Sequence, residues 1–330
     1  MLTTRDLDRC ELWFEHSGLP YFVDAGHDAL MRALAPRQVV LWAAGISVLS
    51  AVAGAATGAA SSSAATGLAA ALACAVLLAL ARFVRVFRVP MIGRWALRHA
   101  WASRGLLGPL ATRALPFLLL FITFLFINTE VWQVASALSR GLLWSSVGVF
   151  VVLAVAFLAP SFGAEIERVG GELEGDLLVG TCQGTPVASA ARDILDHPAL
   201  ADEVAGVELT KLQRGNLLLM LFITQAIQVV ALAGVVFGLI AIRPDVIESW
   251  VGHPPTYKDG GLHLVSNELF SVAVFLSGFA GLYFTVQAVI DQNYRREFFS
   301  RIEDDLRRAI GVRKVYVAVR AHLRAQPSPR

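Results

Sequence analysis

The stretch LPFLLLFITFLFINTEVWQVASAL, residues 115–138, decides the fold class of this chain. Its second residue is Pro116, and proline is favoured in the first turn of a helix. At a rise of 1.5 Å per residue, about 24 helical residues cross the ~30 Å hydrocarbon core of a bilayer. The stretch therefore predicts a transmembrane helix, and with it an integral membrane protein.

The composition points the same way. Hydrophobic residues make up 56% of the 330-residue chain and charged residues only 16%, whereas soluble domains carry about 25% charged residues. The first 38 residues are mixed and charged, so no signal peptide is predicted. We expect an all-α fold, a polytopic transmembrane helix bundle of about six spans with amphipathic cytoplasmic helices.

Apolar runs and polar connections alternate along the chain. Arginines concentrate between the second and third predicted spans without an acidic residue among them, and such residues beside a span mark the cytoplasmic side. Both termini are therefore placed in the cytoplasm. The predicted order is N-terminal amphipathic helices at 1–38, a transmembrane hairpin at 39–84, an Arg-rich cytoplasmic loop at 85–113, a hairpin at 114–160, an acidic cytoplasmic helical segment at 161–213, a hairpin at 214–290 with an external loop at 243–267, and a cytoplasmic amphipathic tail at 291–330.

Local signals set further expectations for helix ends. Residues 3–16 and 28–35 read as short amphipathic helices, and Gly18 is placed to end the first of them. The apolar run of the fourth span ends at about residue 158, and Pro160 is expected to disturb this inner end of the helix. A proline directly after Thr185 predicts a helix that starts there.

Polar residues inside the predicted spans are the candidates for function. Burying a carboxylate in an apolar span costs free energy, so the presence of Glu130 in this span requires an explanation. Three alternatives stay open: contact with headgroups or water beside Trp132, a bundle-facing carboxylate bonded to a glutamine of the fifth span, or a structural hydrogen bond. The candidate polar intramembrane path is Asn128, Glu130, Gln133, Gln225 and Gln228.

The two glutamines of that path lie one turn apart on the fifth predicted span, so they point the same way. Buried polar side chains in membrane helices serve as hydrogen-bonding contacts between helices, or they line a pore or a ligand site. The sequence leaves both alternatives open.

Small residues recur at every fourth position on two of the predicted spans. This spacing places them on one helix face, where helix backbones approach each other closely. The candidate helix-packing residues are Gly54, Gly58, Ser277 and Gly281.

Catalytic and metal motifs are missing from the sequence. It contains no nucleophile elbow, no Gly-rich phosphate loop before a helix and no HExxH, so we expect no enzyme and no cofactor. His253, Asp259 and His263 are scattered ligands in one loop and give only a weak zinc signal. The carboxylates between residues 165 and 176 favour a solvated face over a metal cage, and no metal site is predicted.

The partners we expect are lipids. The Arg-rich loop carries Trp95 and Trp101 among its arginines, and this mixture favours a membrane surface with anionic headgroups over nucleic acid. A homo-oligomer is left open.

Several short motifs stand out along the chain, namely residues 126–135 (FINTEVWQVA), 213–216 (QRGN), 224–228 (TQAIQ), 281–284 (GLYF) and 294–299 (YRREFF). They resemble a set of uncharacterised integral membrane proteins from actinobacteria. The likeness covers about a third of the chain and implies a bacterial cytoplasmic membrane, without site residues or an activity.

Two functions from different classes remain. The membrane-embedded amides and carboxylate favour a small-solute or ion transporter or channel. The extent of the cytoplasmic segments favours a non-transporting scaffold or signalling protein instead.

Overall fold

The computed structural model describes residues 4–102, 129–195, 204, 206–241, 266–290 and 292–325. Every regular element within these ranges is a helix, and none is a strand. The predicted all-α fold class is confirmed.

The described part of the chain forms twelve α-helices and one 3-10 turn. They are α1 (Thr4–His16), the 3-10 turn Pro20–Phe22, α2 (Asp24–Ala33), α3 (Pro36–Ser61), α4 (Ala64–Val86), α5 (Val89–Ala102), α6 (Thr129–Ala137), α7 (Arg140–Glu172), α8 (Gly175–Thr181), α9 (Ala188–Leu195), α10 (Lys211–Ala241), α11 (Asn267–Ile290) and α12 (Gln292–Ala325).

Five of these helices, α3, α4, α7, α10 and α11, are long and apolar enough to cross a membrane. The chain is therefore a helical membrane protein. The predicted third span, 115–138, lies outside the described residues except for its last part, where α6 is found. This third span, and with it the total of six, stays a prediction.

The chain forms two compact units, which share helices α5, α10 and α12. The first comprises Met1–Trp95, Leu173–Met220 and Arg308–Arg330, and the second comprises Ala96–Glu172 and Leu221–Arg307.

In the first unit, α3 and α4 form a hairpin around the turn at Ser62. Ser62 has a left-handed backbone (φ 51°), and the N–H of Ser63 donates to the carbonyl of Gly58 at 3.1 Å, closing the end of α3. The outward faces of both helices are exposed along most of their length. Apolar exposure of this kind suits a lipid environment.

The first unit also holds a core outside the candidate spans. Phe14 of α1 contacts Phe22 and Tyr316, with ring centroids 5.4 and 5.8 Å apart. Leu178, within α8, and Cys182, just beyond its end, are buried in the same unit. Segments from the start, the middle and the end of the chain thus share one apolar interior.

In the second unit, α11 is the central helix, with 56% of its most apolar 18-residue window buried. Trp132 and Ala135 of α6 and Val236 of α10 pack against it. On another side Phe150 of α7 lies 5.5 and 5.6 Å from the rings of Phe275 and Phe279.

Helix α7 runs past the expected end of the fourth span. It continues through Pro160 to Glu172 and crosses the predicted boundary at residue 160. The buried apolar face continues past the proline. Its burial stabilises the helix by more than the loss of the one backbone hydrogen bond that the proline removes. The buried residues of this face are Leu158, Phe162, Ile166 and Val169.

Helix α2 also departs from its predicted bounds, since it starts at Asp24 instead of residue 28. A Cβ atom on Gly26 would lie 1.9 Å from the carbonyl oxygen of Pro20. Only glycine lets the 3-10 turn stack this closely on the first turn of α2, and the helix therefore begins earlier.

Thr185 does not start the helix that its sequence predicts. Its hydroxyl donates to the carbonyl of Cys182 at 2.6 Å, so it closes the preceding turn instead of capping a new helix. Helix α9 begins three residues later, at Ala188.

Candidate functional site

The residues of the predicted polar path do not all come together. Glu130 and Gln133 lie on the exposed face of α6, while Trp132 and Ala135 on its other face are buried against α11. Asn128 lies outside the described residues. Helix α6 therefore turns its apolar side inward.

Gln225 is the most deeply buried polar residue of the path, with 1% of its surface exposed. Neither its Nε2 nor its Oε1 atom has a hydrogen-bond partner in the part of the chain that the structure describes. Gln225 therefore does not make the hydrogen bond to Glu130 that one sequence-based alternative allows.

Gln228, one turn further along α10, repeats the pattern. Its side chain is half-buried, and its Oε1 atom is buried without a hydrogen-bond partner in the described ranges. Three polar atoms of two neighbouring side chains thus have no hydrogen-bond partner among the described residues. Since membrane lipid offers no hydrogen bonds, a buried polar atom without a partner raises the free energy of the protein.

The hydroxyl residues of α11 show the usual solution to the same problem. Ser271, Ser277 and Thr285 each donate to the carbonyl oxygen four residues earlier in their own helix. Ser50 of α3 has a buried oxygen without a partner among the described residues, but it is a single atom. The glutamine pair is set apart by offering one donor and two acceptors within one turn.

The candidate packing residues lie at close helix contacts. A Cβ atom on Gly54 would be 2.8 Å from the carbonyl oxygen of Gly67, and one on Gly58 would be 3.4 Å from the Cα of Gly67. In the second unit a Cβ atom on Gly281 would be 2.8 Å from Cγ1 of Val229. Ser277 is buried on the same helix.

A buried polar contact that sequence reasoning missed centres on Asn216. Its Oδ1 accepts from the backbone N–H of Tyr21 at 3.2 Å, and its Nδ2 donates to the carbonyl of Gly18 at 3.2 Å. The Tyr21 hydroxyl donates to the carbonyl of Val86 at 3.0 Å. The turn after α1 is thereby joined to the start of α10 and the end of α4.

The start of α10 carries a signal that sequence reasoning could have used. The backbone N–H of Thr210 donates to Oε1 of Gln213, and the N–H of Gln213 donates to Oγ1 of Thr210, at 3.1 and 3.3 Å. This is a capping box, and the sequence pattern of a Thr followed three residues later by a Gln indicates it.

Charged residues anchor the C-terminal part of α12 within the first unit. The Tyr316 hydroxyl donates to Glu11 at 2.7 Å, and Arg313 donates to the carbonyl of Phe22 at 3.1 Å. Arg320 pairs with Asp24. Burial raises the pKa of Tyr316 and lowers that of Arg313, because both charged forms are poorly solvated there.

The acidic residues at the end of α7 form an ion-pair network in the second unit. Arg168 donates to Glu172 at 2.7 Å and to Glu303 of α12 at 2.8 Å, and it also pairs with Glu165. Arg307 pairs with Glu303 as well. These carboxylates are engaged by arginines at a partly exposed surface, where each pair adds little stability.

No group of three His, Cys, Asp or Glu side chains that could hold a metal occurs in the described ranges. His253, Asp259 and His263 fall outside them. Burial raises the pKa of the Cys182 thiol to about 12, so this thiol stays protonated at neutral pH.

No protein-family model, curated protein or solved structure matches the chain.

Proposed function

We propose that the protein is a multi-pass protein of the bacterial cytoplasmic membrane that binds a small polar solute or an ion in its helix bundle and carries it across the bilayer. The observation that supports this proposal is the Gln225–Gln228 pair, three polar atoms of which have no hydrogen-bond partner within the described ranges. A ligand that supplies hydrogen bonds or a positive charge would remove their free-energy cost, which amounts to about 1–3 kcal/mol for a single buried group.

The chemistry of the pair selects a class of ligand. Two amide oxygens one turn apart suit a partly dehydrated monovalent cation, and an amide oxygen with an amide N–H suits an uncharged solute that both donates and accepts. The nearest carboxylate of the predicted path, Glu130, lies on the exposed face of α6. The two glutamines themselves carry no charge.

The experiment is uptake by the purified protein in liposomes. The probes are ²²Na⁺, ⁸⁶Rb⁺ and glycerol, the last followed by liposome swelling. We expect uptake of one probe above that of protein-free liposomes, and a loss of roughly tenfold or more when Gln225→Leu and Gln228→Leu are combined, since about 1.4 kcal/mol of lost stabilisation is a factor of ten.

Gln133→Leu is the matched control, because it removes an exposed amide from another helix and leaves the glutamine pair intact. It should transport like the unchanged protein. Absence of uptake for all three probes, or equal uptake by the double variant and the unchanged protein, would contradict the proposal.

A second function, as a membrane scaffold or signalling protein, is favoured by the core that joins α1, α8 and the end of α12. The two functions predict opposite results when variants are tested for complementation of a strain that lacks the protein. Complementation should survive the Gln225→Leu and Gln228→Leu pair and fail when Tyr316→Ala opens that core. Complementation that is lost with the glutamines alone would exclude this alternative.

A further inference from the structure

Arginines collect at the end of the α3–α4 hairpin that lies opposite the Ser62 turn. Between Ala29 and Thr129 the sequence contains no acidic residue. Four arginines of this stretch, Arg32, Arg37, Arg85 and Arg88, are called the basic collar here. All four belong to the first unit.

Arg82 brings the collar together. Its guanidinium donates to the carbonyl of Ala33 at the end of α2, at 2.9 Å, and lies 4.6 Å above the ring centroid of Trp42 on α3. It thereby holds the end of α2, the start of α3 and the end of α4 side by side. Arg32 and Arg37 therefore lie at the same end of the hairpin as Arg85.

Arg88 stands in the turn between α4 and α5 with a left-handed backbone (φ 49°). This conformation is unfavourable for a long side chain and natural for glycine. The guanidinium of Arg88 lies close enough to Tyr21 to oppose the rise of the tyrosine pKa to about 12 that burial causes. A strained arginine is thus kept where glycine would fit better.

The described residues do not neutralise the collar. No acidic side chain pairs with any of its four arginines in the part of the chain that the structure describes, and Arg32 donates only to the carbonyl of Asp28 in its own helix. Arg168, Arg307 and Arg320, by contrast, all pair with carboxylates. Within the described ranges the collar therefore keeps a net positive charge, which suits an anionic ligand.

Exposed apolar side chains begin directly beside the collar. Val39, Val40, Leu41 and Trp42 follow Arg37 on α3, and Phe83 precedes Arg85 on α4, all with two fifths or more of their surface exposed. Since such a band belongs in the acyl layer, the arginines next to it stand at the depth of the headgroups.

We propose that the basic collar binds the phosphate groups of anionic phospholipids in the adjoining leaflet. A lipid fits better than a free phosphate, because its acyl chains would cover the apolar band while its headgroup meets the arginines. The proposal is independent of the glutamine pair and of transport.

The test measures equilibrium binding of fluorescent phosphatidylglycerol and fluorescent phosphatidylcholine to the full chain in detergent. The unchanged protein should prefer the anionic lipid. Combining Arg37→Gln, Arg85→Gln and Arg88→Gln should weaken phosphatidylglycerol binding by about fivefold per arginine, the factor that corresponds to ~1 kcal/mol per basic residue at a membrane surface. Phosphatidylcholine binding should not change.

Arg308→Gln is the matched control, because Arg308 is an exposed arginine of α12 outside the collar. It should leave both lipid affinities unchanged. Arg88→Gly provides a variant that removes the charge while relieving the left-handed backbone, so it should keep or raise the melting temperature and still weaken phosphatidylglycerol binding.

Three outcomes would overturn the proposal. They are equal affinity of the unchanged protein for both lipids, undiminished phosphatidylglycerol binding in Arg88→Gly and the triple variant, and displacement of the fluorescent lipid by inorganic phosphate at the same concentration as the lipid. The last would assign the collar to a soluble phosphate.

Discussion

The side-chain oxygen of Asn216 accepts a hydrogen bond from the backbone N–H of Tyr21 at 3.2 Å, across 195 residues of sequence. With the second bond to Gly18, one buried amide satisfies two backbone groups of a turn. Asn216→Ala should therefore lower the free energy of unfolding by about 2–4 kcal/mol, because both groups are left unpaired. Thermal unfolding in detergent measures this, with the exposed Gln38→Ala as control. A variant as stable as the control would show that the turn is held by other contacts.

The hairpin of α3 and α4 depends on the absence of side chains at their contact. A Cβ atom on Gly67 would lie 2.7 Å from the Gly54 carbonyl oxygen and 3.0 Å from the Gly58 Cα. Gly67→Ala should cost about 1–3 kcal/mol, because backbone atoms cannot move aside as a flexible side chain does. Gly45→Ala is the matched control, since a Cβ atom there meets open space on the same hairpin. Equal melting temperatures for both would contradict the close contact.

Gly281 makes a different kind of contact, with the side chain of Val229. Gly281→Leu should lower the melting temperature, because a Cβ atom alone would come within 2.8 Å of Cγ1 of that valine. Gly148→Leu should leave the melting temperature unchanged, because a Cβ atom at this position meets open space. Gly281→Ala is the smaller change at the same position, and adding Val229→Ala to it should restore much of the lost stability. Failure of this rescue would show that the clash lies elsewhere.

Lys314 makes stability depend on pH. Its side chain is 6% exposed, and burial lowers its pKa in the folded state below the ordinary value of 10.5. Between these two pKa values the unfolded chain binds more protons, so stability rises with pH across that window. Lys314→Met should flatten this dependence and raise the melting temperature at neutral pH, despite the loss of the 3.4 Å bond to the Leu173 carbonyl.

Melting curves over a range of pH provide the measurement, and Lys211→Met, at an exposed lysine, is the control. An unchanged pH dependence in Lys314→Met would show that the lysine is solvated in the folded state.

The proposed orientation is tested by labelling introduced cysteines in intact cells. Ser189 is exposed and belongs to the segment placed in the cytoplasm, whereas Gly260 lies in the loop placed outside. A membrane-impermeant reagent should label Gly260→Cys but not Ser189→Cys, in a Cys74→Ser background. The reverse pattern would invert the topology.

The sequence was sufficient to predict the fold class, because long apolar helices can be recognised from the local composition. It was misleading at helix ends, where tertiary contacts outweigh local signals. Pro160 did not end α7, because the buried face continues to Val169 beyond it. Thr185 did not start a helix, because its hydroxyl donates to the carbonyl of Cys182 instead.

The candidate site was predictable only in part. Two glutamines at helical spacing are visible in the sequence, but whether their amides find partners depends on neighbouring helices. The pairing of Asn216 with Tyr21 has no local signature, because a hydrogen bond between distant segments depends on how the helices pack. The Thr210–Gln213 capping box, by contrast, was available from spacing alone.

The contact of Tyr316 with Phe14 and Glu11 sets an order of events during synthesis. The ring against which Phe14 packs is synthesised about three hundred residues after helix α1. All five candidate spans precede Tyr316 in the sequence and are therefore also synthesised before it. The nascent N-terminal helices consequently spend most of translation without the ring that completes their core.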